Sequence, residues 1–388
     1  MDADRNLGMI CGVTLMAVIG VSMITPAFPS IRDALFLSNA QVGYLVTAFT
    51  LPGVVFSFFI GALSDRIGTR AIVVVSLFAF GVLGALVPFS PSFEGMLVLR
   101  FFQGCAASGL STLSLAMIGE YYQGESRAVA MGYNGSVLSI GTASYPFIGG
   151  LLASAGWKYP FYTFAVAIPL GFVMLLFMEP SASGTRISMH GATYRSLLSL
   201  RSLMLLATTV VTFILLYGSY LTYYTLYLDD FFSASSTQIG IILSIMSIST
   251  AVVSSQTGSI LRGLGAKRAM MVGFCCYSAA LLLMFFQPSM WSGIAAVVMF
   301  GIGQGCNLPL LQTSILDSAP EELRGLMSAI YSSALRVGQS IGPVLMGVLY
   351  TLGGFGLVFM ASAALAACTA MALFLQMNTG SACKHEGE

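Results

Sequence analysis

Twelve stretches of this chain are each apolar for long enough to cross a lipid bilayer, and that property removes most folds from consideration. In hydrocarbon every backbone N–H and C=O has to be paired within the protein, which leaves α-helices and closed β-barrels as spanning structures. A spanning helix needs about 20 largely apolar residues, roughly twice what a barrel strand needs. The runs cover residues 7–29, 41–64, 71–90, 93–119, 127–155, 157–178, 202–228, 237–261, 269–287, 290–316, 324–351 and 353–377. Of the residues 57% are hydrophobic and 8% charged, against roughly 25% charged in soluble domains. The expected fold class is therefore an all-α integral membrane protein with 12 transmembrane helices.

The remaining composition excludes several functions. Sixteen basic residues balance 15 acidic ones, so there is no net charge to attract nucleic acid and no basic run for lipid headgroups. Seven cysteines lie at positions 11, 105, 275, 276, 306, 368 and 383. Six fall inside apolar runs, where cysteine acts as a small hydrophobe, so neither a disulfide framework nor a C-x-x-C metal site is expected, and no cofactor. An intramembrane enzyme would need a Ser-His pair, paired aspartates on a metal or a histidine cluster. His190 and His385 both lie outside the apolar runs, which contain no aspartate pair. The start, Met1 to Asn6, lacks the basic segment and small-residue site of a cleaved signal peptide, so the first run reads as a retained helix.

The longest polar interruption, Glu179 to Arg201, separates the sixth and seventh runs. It reads as a cytoplasmic linker over 179–201 between an N-terminal six-helix domain, 1–178, and a C-terminal one, 202–388. Basic residues set the orientation. With the N-terminus cytoplasmic, Arg5, Arg66, Arg70, Arg127, Arg186, Arg195, Arg201, Arg262, Lys267, Arg268, Arg324 and Lys384 fall inside, and only Arg32 and Lys158 outside. Both termini are accordingly expected in the cytoplasm.

The two halves repeat. Gln41-Val42-Gly43 recurs as Gln238-Ile239-Gly240, Gly61 and Gly68 as Gly258 and Gly265, and Glu120 as Asp317. Arg127, Gly141, Pro146 and Gly150 recur as Arg324, Gly338, Pro343 and Gly347, every pair at one offset (238 − 41 = 324 − 127 = 343 − 146 = 197). One offset across six helices implies a duplicated six-helix domain, both copies in the same orientation because six crossings is an even number. Parallel repeats of this kind place substrate near the midplane between the halves.

The motifs then carry a resemblance. Residues 61–70, G-A-L-S-D-R-I-G-T-R, resemble the loop between helices 2 and 3 of the major facilitator superfamily, with Asp65, Arg66 and Arg70 in its charged positions and Thr69 in place of a usual basic residue. In that family the loop latches the cytoplasmic side shut, and the second copy here has Arg262 and Gly263 where the first has Asp65 and Arg66. Gly132, Gly141, Tyr145-Pro146 and Gly149-Gly150 are similar to the glycine signature of antiporter helix 5, with tyrosine replacing one glycine. Small residues let that helix approach its neighbours and proline bends it. Thr25 to Pro29 resembles the P-x-x-P stretch of the twelve-helix drug:proton antiporters, and Arg100, Gln103 and Gly104 match their R-x-x-Q-G. The resemblance implies proton coupling at Arg100 and Gln103, while carbonyls of the first helix would equally satisfy a buried arginine. Glu120, Glu125, Arg127, Asp317, Glu322 and Arg324, in equivalent cytoplasmic turns, are candidates for gating ion pairs or for ordinary caps.

Cavity-facing polarity is read from the helical period. Ser332, Ser333, Arg336, Gln339 and Ser340 share a stripe on the eleventh run, and Tyr217, Tyr220, Tyr224 and Tyr227 another on the seventh. Gln304 and Asn307 on the tenth run and Asn134 on the fifth complete the candidate substrate site. An intramembrane charge such as Arg336 costs about 2.5 to 3.5 kcal/mol even on lenient insertion scales, which makes it a functional candidate by default. The expected function is secondary transport of a small molecule across the cell membrane by alternating access. The resemblance implies a monomeric, proton-coupled exporter of drug-like or amphipathic compounds. Multidrug antiporters of organic cations commonly hold a carboxylate in the cavity, and the acidic residues here fall at the ends of the runs. An organic-anion exchanger or exporter using Arg336 as counter-charge is the alternative, and a transporter-like membrane sensor the alternative of another class.

Overall fold

The computed structural model describes residues 2–178, 199–320 and 323–385; most of the linker expected at 179–201, with His190, and Glu322 lie outside the described residues, as does the side chain of Asp65. Among the described residues all regular structure is helical. Eleven segments are long and apolar enough to cross a membrane: α1 (Arg5–Leu35), α2 (Asn39–Ser57), α3 (Thr69–Phe89), α4 (Phe93–Tyr121), α5 (Gly124–Ala155), α6 (Tyr159–Phe177), α7 (Leu200–Phe232), α8 (Ser236–Ser255), α9 (Ala266–Phe286), α10 (Gly293–Leu316) and α11 (Leu326–Leu375). The difference from twelve runs is one of continuity. α11 carries the last two runs and bends where Gly353 (φ −156°) and Gly354 (φ 64°) leave helical geometry. The arm on either side has more than the roughly 20 residues that a crossing needs.

Local chemistry explains the other boundaries. Pro26 and Pro29 supply no N–H, so α1 is broken after Ser22: the Ala27 N–H turns to the Ile24 oxygen at 2.9 Å in a 3-10 turn before helix resumes at Phe28. The recurrent Gln-x-Gly sequence marks a helix start. Ser38 and Gln41 form a capping box, the Ser38 N–H donating to Gln41 Oε1 at 2.8 Å and the Gln41 N–H to Ser38 Oγ at 3.3 Å. Ser235 and Gln238 make the same two bonds at the same distances (235 − 38 = 197). Gly68 (φ 91°) and Gly265 (φ 73°), also one offset apart, join helices through a backbone conformation that a Cβ would strain.

Lipid is as apolar as leucine, so helices in a bilayer associate through close packing and hydrogen bonds between them and not through hydrophobic burial. Small residues mark the contacts. Gly104 of α4 lies against the Phe49 oxygen of α2, and Gly301 of α10 against the Met246 oxygen of α8 (301 − 104 = 246 − 49 = 197). A Cβ on Gly218 of α7 would meet the Gly342 oxygen of α11 at 2.6 Å. The middle of α7, Leu215–Tyr224, is wound as a π-helix, and the Thr222 hydroxyl donates to the Tyr217 oxygen five residues back at 2.7 Å. Such windings are rare and concentrate at functional positions.

The chain forms two compact units, Met1–His190 with Ser235–Ile241, and Gly191–Ala234 with Ile242–Glu388. The start of α8 joins the first unit through α5: Gly240 sits on the Pro146 oxygen, and its Cα lies 3.1 Å from where Gly150 would carry a Cβ.

Candidate transport site

The two arginines in the interior of the spans have different surroundings. Arg100 has no accessible surface. Its Nη2 donates to the Gly20 oxygen of α1 at 2.8 Å, its Nη1 to Gln103 Oε1 at 2.8 Å and its Nε, at 3.5 Å, to the Leu45 oxygen of α2. The guanidinium also lies 4.2 Å from the centre of the Phe49 ring, the arrangement of a cation–π contact. Gln103 in turn donates to the Phe80 oxygen of α3 at 3.4 Å. One buried charge thus ties α1, α2, α3 and α4 together, and the α1 carbonyl that it uses is Gly20.

Arg336 on α11 is neither fully buried nor exposed. Tyr217, half-buried on α7, is close enough to act on it electrostatically. Gln339 is 5% exposed and its Oε1 accepts no hydrogen bond, so the arginine spends no donor on it. Ser332 and Ser340 turn their hydroxyls back to their own helix, to the oxygens of Ser328 at 3.0 Å and Arg336 at 2.8 Å.

The other polar candidates go largely to packing. Tyr220 and Tyr224 are wholly buried: Tyr220 stacks on Phe300 with ring centres 4.8 Å apart and on Tyr224 at 5.7 Å, and their hydroxyls reach the Ile242 oxygen at 3.4 Å and Gln287 Oε1 at 3.1 Å. In this conformation both rings are packed in the core of the second unit. Asn134 accepts from the Thr14 hydroxyl at 2.6 Å and joins α5 to α1. Gln304 accepts from the Tyr277 hydroxyl. Asn307 has no accessible surface and lies against Gly273 of α9, its amide atoms within 2.6 to 2.8 Å of where a Cβ would stand.

The glycine motif of α5 divides in two. Gly141 packs on Leu15, Gly149 lies directly on the Met23 oxygen at the break in α1, and Gly150 on the Ser236 oxygen. Tyr145, in place of the motif glycine, is buried and donates to the Leu15 oxygen at 3.2 Å. Gly132 departs from expectation. No atom lies within 4 Å of where its Cβ would stand, so the packing assigned to it is not made in this conformation.

In the loop after α2, Thr69 donates to Glu120 Oε1 at 2.5 Å, so the residue that replaces the motif's base bridges to the end of α4. Arg70 donates to the Leu175 oxygen of α6 at 2.5 Å, and Arg66 is exposed. Glu125, Arg127, Asp317 and Arg324 are all exposed; among the described residues Glu125 and Arg127 make no ion pair with each other, and Arg127 lies across Gly119 instead. Sequence reasoning missed three features: the π-wound segment, the Gly218–Gly342 approach and the Thr14–Asn134 bond. Only the last carried a signal, two polar residues in apolar runs.

Among the described residues, the membrane-spanning helices carry arginine and amide side chains within their spans. The profile of the Major Facilitator Superfamily matches residues 10–232 and 208–386, and the chain belongs to that family as a multi-pass protein of the cell membrane. Among curated proteins it is 26% identical over 381 residues to multidrug efflux protein YfmO of Bacillus subtilis (strain 168), covering 91% of each chain. It is 25% identical over 350 residues to multidrug resistance protein 2 of the same organism, covering 87% of this chain and 86% of that one. Among solved structures, a bacterial homologue of the human lysosomal transporter Spinster, inward-facing and unoccupied, superposes with a TM-score of 0.77 at 16% identity, covering 96% of this chain and 95% of that one.

Proposed function

We propose that this protein exports drug-like or amphipathic molecules across the cell membrane in exchange for protons, by alternating access. The observation that carries the reading is the seating of α5: Gly141, Gly149 and Gly150 each lie against a neighbouring segment at the spacing of the antiporter signature. The similarity to multidrug efflux proteins over nine-tenths of the chain supports export. The recurrence of caps, glycine turns and glycine contacts at one offset supports a duplicated six-helix domain, and the basic residues between the runs support both termini in the cytoplasm. We read the transporting species as a monomer.

The test is direct. Purified protein in proteoliposomes with an imposed proton gradient is expected to move rhodamine 6G or fluorescein against its concentration gradient, with proton movement in the opposite direction reported by a trapped pH dye. Movement of neither dye, or movement that persists unchanged after a protonophore collapses the gradient, overturns the reading.

A further inference from the structure

Arg100 has no surface through which to meet a solute, and its donors already serve Gly20, Leu45 and Gln103. Arg336 retains accessible surface although it stands 12 residues, about 18 Å of helix rise, from Arg324. That depth places it well inside a hydrocarbon core about 30 Å thick. Gln339 lies on the same face of α11, one turn on, buried and with its Oε1 unsatisfied. A buried acceptor without a donor is costly, and in native proteins it points to a ligand or water that supplies one. Tyr217 of α7 is near enough to interact electrostatically with the arginine, and the Phe213 ring lies 6.2 Å from its own.

The ligand's charge follows from what surrounds this cluster. The aspartates and glutamates of the described spans all fall within a few residues of a span end: Asp33, Glu94, Glu120, Glu125, Asp229 and Asp230. A cationic solute would find no carboxylate at the depth of Arg336 and would be repelled by the guanidinium. An oxyanion would be attracted, and the planar fork of arginine suits its two oxygens.

We propose that Arg336, Tyr217 and Gln339 form an oxyanion site within the second unit. It takes the carboxylate, sulfonate or phosphate of an amphipathic aromatic molecule. The inference rests on the export reading above and assigns its substrates to anions and zwitterions. The guanidinium holds the oxyanion, the Tyr217 and Phe213 rings flank the aromatic body, and no bond is made or broken.

The test uses two dyes with one xanthene core, anionic fluorescein and cationic rhodamine 6G, titrated into the purified full-length protein in phosphatidylcholine nanodiscs. Fluorescein is expected to bind the parent at least tenfold more tightly than rhodamine 6G. Arg336→Gln is expected to lose at least tenfold for fluorescein while rhodamine 6G binds no more weakly than to the parent, Arg336→Lys to retain part of the fluorescein binding and Tyr217→Phe most of it. Nanodiscs containing phosphatidylglycerol distinguish two sources of the oxyanion: displacement of fluorescein identifies a lipid headgroup as occupant, and no displacement identifies a solute. A parent that prefers rhodamine 6G, or an Arg336→Gln protein that binds fluorescein as the parent does, overturns the site. Gradient-driven export of rhodamine 6G without any fluorescein preference removes the anion site and leaves the export reading. A fluorescein preference without gradient-driven movement of either dye does the reverse.

Discussion

At the scale of single residues, Arg100 and Arg336 have the same chemistry and opposite surroundings, and each consequence can be measured. Removing Arg100 leaves the Gly20 and Leu45 carbonyls and Gln103 without their donor. Orphaned buried groups cost about 1–3 kcal/mol each. We expect Arg100→Met to lower the apparent melting temperature in detergent by several degrees and Arg336→Gln to lower it much less; equal melting of Arg100→Met and the parent would show that the arginine does not pin the spans. The Thr14–Asn134 bond is a second case. A double-mutant cycle with Thr14→Val and Asn134→Leu is expected to give a coupling between about 0.6 and about 1.7 kcal/mol, the average and maximum for hydrogen bonds between membrane helices. Part of this was legible: a buried arginine needs acceptors, and carbonyls of the first helix were among those expected for Arg100. The Gln103 pairing, the partners on α2 and α3 and the particular carbonyl on α1 were not, because the carbonyl contacts span up to 80 residues of chain and carbonyls belong to every residue.

At the scale of the element, α5 carries its own control. Gly149 rests on the Met23 oxygen and Gly132 on nothing within 4 Å, although both belong to one glycine motif. Gly149→Leu has to push α1 and α5 apart, and overpacking of this kind costs about 1–3 kcal/mol. We expect Gly149→Leu to reduce folded yield and transport while Gly132→Leu retains parental melting and expression by fluorescence-detected chromatography. Matched losses in the two variants would mean that glycine content, and not contact, sets the effect. The helix boundaries of α2 and α8 were readable because the capping box is local, made by side chains three residues apart. The winding of α7 was not. Tyrosine, serine and leucine at 215–224 are compatible with either an α or a π ladder, and the close approach of Gly218 to Gly342 on α11 falls within that stretch.

At the scale of the whole molecule, the latch role proposed for the loop between α2 and α3 can be tested apart from the proposed oxyanion site. Asp65→Asn is expected to slow export in proteoliposomes by severalfold while insertion and fluorescein affinity stay at parental values; export at the parental rate would detach the loop from the transport cycle. Apolarity over runs of about 20 residues was sufficient to specify a helical membrane protein, because a bilayer offers the backbone no other partner. Cap residues and turn glycines that recur at an offset of 197 in sequence also recur as caps and positive-φ turns in the structure. Tertiary structure alone decided which polar groups were enclosed by neighbouring helices and which kept accessible surface. Arg100, Asn134, Tyr220 and Tyr224 look as functional in sequence as Arg336 and Gln339 do, but neighbouring helices saturate or bury the first four. The reason is physical: the energy of a polar group in hydrocarbon depends on whether a donor or acceptor from another helix reaches it, and that proximity is a property of packing.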